Sequence, residues 1–100
     1  MKKLLSDVSA LSLAEYNRAS AKFGERNNSH HESYAVILEE FEEAIEEECG
    51  FQQNLERLWE EIKSNKTDCL SDRLTSMRKH AEHAAAEWIQ VAAMCYKAGK

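Results

Sequence analysis

The sequence predicts an all-α fold, a compact helical bundle of about four helices completed by oligomerisation. Three observations carry that expectation. Apolar residues recur at helical spacing in four segments, with no strand-like alternation to compete. The chain holds no proline and only three glycines, which disfavours turn-rich β architectures. Its 100 residues leave room for one domain, residues 1–100, whose modest core a second copy would enlarge.

The first helix is expected from about Ser6 to Phe23, on Val8, Leu11, Leu13, Tyr16, Ala19 and Phe23. Gly24 supplies a stop, and Glu25 to Ser29 reads as a loop. Ser29 and Glu32 have the spacing of a capping box and open the second helix. Its apolar stripe is Tyr34, Ile37, Leu38, Phe41, Ala44 and Ile45. Tyr34, Leu38, Phe41 and Ile45 mark the core side, and Gly50 is expected to end or kink the helix. A third segment carries Leu55, Leu58, Trp59 and Ile62, and fades over Lys63 to Asp68. The fourth helix, about Ser71 to Lys97, carries Leu74, Met77, Ala81, Ala84, Ala85, Trp88, Val91, Ala92 and Cys95.

Charge and cysteine content narrow the function. A net charge of −5 argues against binding a nucleic acid polymer, which needs a basic stripe. A nucleotide is still allowed, because a metal ion can bridge carboxylates and phosphates. Cys49, Cys69 and Cys95 form an odd set without CxxC spacing, which suggests reduced thiols in the cytoplasm. The first residues lack the apolar run of a signal peptide. No apolar stretch approaches the roughly 18 residues needed to span a membrane.

Eight glutamates lie between Glu32 and Glu48, and no Lys or Arg falls between Glu32 and Glu56. At about 100° per residue, Glu40, Glu43 and Glu47 share one side of the helix, with Val36 among them. Glu40 and Glu43 are i, i+3 neighbours, so their carboxylates can meet one cation. A solvated acidic face is the plain alternative. Val36 argues that this side is covered by another helix or subunit, and covered carboxylates need a counter-ion.

A second polar line on the fourth helix holds His80, His83, Glu87 and Gln90. Glu87 stands alone in an alanine-rich stretch and needs a partner. Facing Glu40 and Glu43, it would complete a set of hard oxygen ligands suited to Mg²⁺ or Mn²⁺. His80, His83 and Glu87 offer a competing zinc or di-metal set, without the stronger HExxH pattern.

The stretch Ser29-His-His-Glu-Ser-Tyr-Ala-Val-Ile-Leu-Glu-Glu-Phe-Glu-Glu43 resembles the acidic helix of MazG-like all-α nucleoside triphosphate pyrophosphohydrolases, particularly phage-type small members. Glu39-Glu40-Phe-Glu-Glu43 matches the Glu-Glu-x-x-Glu core. Ala86 to Met94 resembles the later Glu-x-x-Asp motif. The resemblance spans about Ser29 to Tyr96. It implies Mg²⁺-dependent hydrolysis of a nucleoside or deoxynucleoside triphosphate to the monophosphate and pyrophosphate, by a homodimer or homotetramer. Carried over by position, Glu40, Glu43, Glu87 and Gln90 hold the metal, and Glu39 supports it or acts as base. His31, Glu32 and Lys79 are candidate substrate contacts.

Two departures stand out. Gln90 replaces the expected Asp and contributes no charge. The interval from Glu43 to Glu87 is longer than the family's. Both fit an alternative, a catalytically weak or inactive helical interaction module.

Overall fold

The computed structural model describes all residues, Met1 to Lys100, and is entirely helical. α1 runs Lys2–Phe23, α2 His30–Lys63 and α3 Leu70–Ala98. Gly24 ends α1 at φ 95°, a left-handed value that a side chain would strain. Ser29 caps α2 as expected. Its hydroxyl accepts from the Glu32 N–H at 3.1 Å, and the Glu32 carboxylate accepts from the Asn28 N–H.

Three helices replace the expected four, because Gly50 does not end α2. The helix continues for 34 residues, about 51 Å, and takes in the segment with Leu55, Leu58 and Trp59. A mid-helix glycine costs about 1 kcal/mol relative to alanine, but here tertiary packing overrides that. A Cβ on Gly50 would lie 2.6 Å from the His80 ring of α3, so α3 approaches where the side chain is missing. The Asn54 amide also donates to the Gly50 carbonyl at 2.8 Å.

α2 and α3 form a long hairpin. α1 lies along α3 and makes no close backbone approach to α2. Tyr16 and Ala19 of α1 meet Ala93 and Met94 of α3 in a small core, which Val36 and Ile37 of α2 reach. The Tyr16 hydroxyl donates to the Glu25 carbonyl at 3.1 Å and ties α1 to the loop that follows. No large side chain is fully buried. The radius of gyration is 17.4 Å, against about 13 Å for a compact domain of this length. The protomer is therefore an elongated packing of three helices, 55 × 30 × 21 Å in extent.

The expected core side of α2 is overturned. Tyr34 is 68% exposed and Phe41 41%, while Ala44 is 0% exposed. The line that faces α3 is Ser33, Ile37, Glu40, Ala44, Glu47, Phe51, Asn54, Leu58 and Glu61, all buried or half-buried. This line is the more polar of the two, and α3 supplies its partners. Arg73 donates to Glu61 at 2.6 Å and to Asn54 at 2.8 Å. His80 meets Glu47 at 2.9 Å. Val36 packs against the small core formed by α1 and α3, so its cover comes from the same chain.

Candidate metal centre

Glu40 and Glu43 lie one turn apart on α2, and Glu87 faces them from α3. One oxygen from each lies within 4.8 Å of the others. They are the chain's one group of three ligating side chains that converge in this way. The helix period pairs the first two, and the antiparallel hairpin delivers the third.

No Lys or Arg side chain pairs with any of the three. The electrostatics record that deficit. Burial raises the Glu40 carboxyl above its ordinary value, and repulsion from Glu43, Glu87 and Glu39 adds to the effect. Burial also raises Glu87, followed by a hydrogen bond and repulsion from Glu43, then repulsion from Glu47. His83 opposes these. The three carboxyls thus converge with no cationic Lys or Arg side chain among them. A divalent ion with a preference for oxygen would offset the repulsion among them. The donor set therefore fits Mg²⁺ or Mn²⁺.

The remaining candidate residues are placed differently. The Gln90 amide nitrogen donates to Glu15 of α1 at 2.8 Å, so the structure commits it to joining α3 to α1. Glu39 is exposed beside Glu40 and contributes to its field. Glu32 serves the α2 cap described above. His31 is exposed at the start of α2, beside His30 and Tyr34. Lys79 is exposed on α3, about 12 Å of helix from Glu87.

His80 and His83 do not join Glu87 in a ligand set. Both turn Nδ1 toward Glu47, at 2.9 and 3.7 Å. Glu15, Asn54 and Arg73 carry polar links that sequence reading did not single out. Their partners lie 19 to 75 residues away for the Asn54–Arg73 and Glu15–Gln90 pairs, beyond any local signal.

No helix is long and apolar enough to cross a membrane. Comparison with protein-family models, curated proteins and solved structures finds no match for this chain.

Proposed function

We propose that the chain is a Mg²⁺-dependent nucleoside triphosphate pyrophosphohydrolase, acting on a nucleoside or deoxynucleoside triphosphate. The observation that supports this reading is the convergence of Glu40, Glu43 and Glu87 from two helices without a neutralising cation. It agrees with the resemblance of the Glu39–Glu43 stretch to MazG-like enzymes. In this reading water attacks at phosphorus and the bond between the α and β phosphates breaks, giving the monophosphate and pyrophosphate. The metal would screen the phosphates and polarise them for attack.

The protein's part is to hold three carboxylates in register on a rigid hairpin. In this reading Glu39, exposed and next in the chain to Glu40, would accept a proton from water. Lys79 and His31 are the candidate phosphate and base contacts. Glu32 contributes through the cap that fixes the start of α2.

A helical interaction module is the second reading. Two observations favour it: Gln90 is engaged by Glu15, and α2 exposes a long apolar line. Incubation with a panel of ribo- and deoxyribonucleoside triphosphates plus Mg²⁺, with pyrophosphate assayed, tests the enzyme. Release that falls in Glu43→Ala supports it. No release, or release undiminished in that variant, overturns it. Calorimetric titration with Mg²⁺ separates an inert module from a metal-binding protein.

A further inference from the structure

α2 carries two adjacent lines whose residues alternate at spacings of four and three. The first, through Ala44, packs on α3. The second runs Tyr34, Leu38, Phe41, Ile45, Glu48, Gln52, Leu55, Trp59 and Ile62. Seven of these nine residues are apolar, yet all are exposed except half-buried Ile45. An unbroken heptad spacing of this kind is the seam of a helix that packs on another helix.

α3 continues the same face. Trp88 packs edge-on against Phe41, with ring centroids 5.9 Å apart. Exposed Leu74, Ala81 and Ala85 lie along the same side. Between the helices is a shallow depression of about 560 Å³ lined by Phe51, Gln52, Ala84 and Trp88. The protomer exposes 7417 Å², whereas a compact chain of 11.5 kDa exposes about 5,800 Å². The excess is ample for a stable interface, which takes about 800 Å² from each partner.

We propose that this face is the dimer interface of the protein, and that α2 packs antiparallel on α2 of a second copy about a twofold axis near Gly50. Charge selects the direction. Residues 32–48 hold eight acids and no Lys or Arg, while residues 49–66 balance Glu56, Glu60 and Glu61 with Arg57, Lys63 and Lys66. A parallel pair would set the two acidic halves together. An antiparallel pair sets each against a neutral half.

The polar positions select the register. With the axis near Gly50, Leu38 meets Ile62, Phe41 meets Trp59 and Ile45 meets Leu55 of the second copy. Glu48 then meets Gln52, whose amide can donate to the carboxylate. Shifting by one heptad sets Glu48 and Gln52 against Ile45 and Phe41, so a buried polar residue loses its partner. On the rim, Cys49 lies beside Cys49 of the second copy. The Glu42–Glu56 pair there is like-charged, but water and salt screen it. The interface does not depend on the metal reading.

Sedimentation and light scattering should give twice 11.5 kDa at micromolar concentration. Leu38→Glu and Trp59→Glu should each weaken dimerisation roughly a hundredfold, while exposed Gln53→Glu off the seam leaves it unchanged. Replacing Glu48 and Gln52 together by leucine should tighten the dimer, a gain that misfolding cannot imitate. With Cys69→Ser and Cys95→Ser, a short bis-maleimide should join two copies through Cys49. A monomer, or a dimer indifferent to Trp59→Glu, overturns the interface. A dimer that Trp59→Glu dissolves but Cys49 does not crosslink overturns the register.

Discussion

The imidazole of His80 occupies the space where Gly50 lacks a side chain. The two residues set how closely α2 and α3 approach, and Glu47 holds the ring there through a 2.9 Å hydrogen bond. Gly50→Ala gains about 1 kcal/mol of helix propensity but must push the ring off Glu47, a loss of similar size. The substitution should therefore be neutral or destabilising in the native chain and stabilising by about 1 kcal/mol in a His80→Ala background. Denaturant unfolding of the four proteins measures this coupling, and additive effects would refute the contact.

The acid triad makes stability depend on pH. Glu40 and Glu87 both titrate above the ordinary value of 4.5 in the folded chain. Their contribution is complete below that value and is lost as pH rises through the raised folded values. Glu15 is lowered, mainly by its hydrogen bond with Arg18, so its effect appears only below 4.5. Melting temperature without divalent ions should therefore fall as pH rises above 4.5, the ordinary value. Mg²⁺ should flatten that trend, as should Glu87→Gln. A slope unchanged by either would show that the three carboxyls are not coupled.

Gln90 links α3 to α1 rather than to the triad. Gln90→Asp should cost about 1 to 2 kcal/mol, because it sets a second carboxylate against Glu15. It should leave Mg²⁺ affinity unchanged. Calorimetry and thermal melts on one variant read both quantities, and a gain in affinity would return residue 90 to the ligand set.

At the far end of the hairpin, Arg73 bonds Glu61 and Asn54 while largely shielded from water. Arg73→Ala leaves both acceptors half-buried without a donor. The expected loss is about 2 to 3 kcal/mol by urea unfolding. Arg73→Lys should recover only part of it, since an ammonium lacks the planar fork.

Helix boundaries with local causes were legible in sequence: the Ser29–Glu32 cap and the Gly24 stop depend on neighbours within a few residues. Glu40 and Glu43 followed from helix period, and Glu87 from its isolation among alanines. The packing side of α2 was not legible. Reading by hydrophobicity selects Tyr34, Leu38, Phe41 and Ile45, whereas the chain pairs Glu47 with His80 and Glu61 with Arg73. Those partnerships form between distant residues. Gly50 misled for the same reason, because the ring that explains it comes from another helix. Gln90 fitted a short motif, but its partner Glu15 lies 75 residues away.

α1 is held by buried Ser12, Tyr16 and Ala19, the Tyr16–Tyr96 ring contact and the Glu15–Gln90 bond, all from Ser12 onward, while Leu4, Leu5 and Leu11 stand in solvent. The expected consequence is two cooperative blocks of unequal strength. Amide protons in the first turns of α1 should exchange almost freely, those near Tyr16 at the cost of undocking α1, and those around Ala44 and Ala84 only with opening of the hairpin.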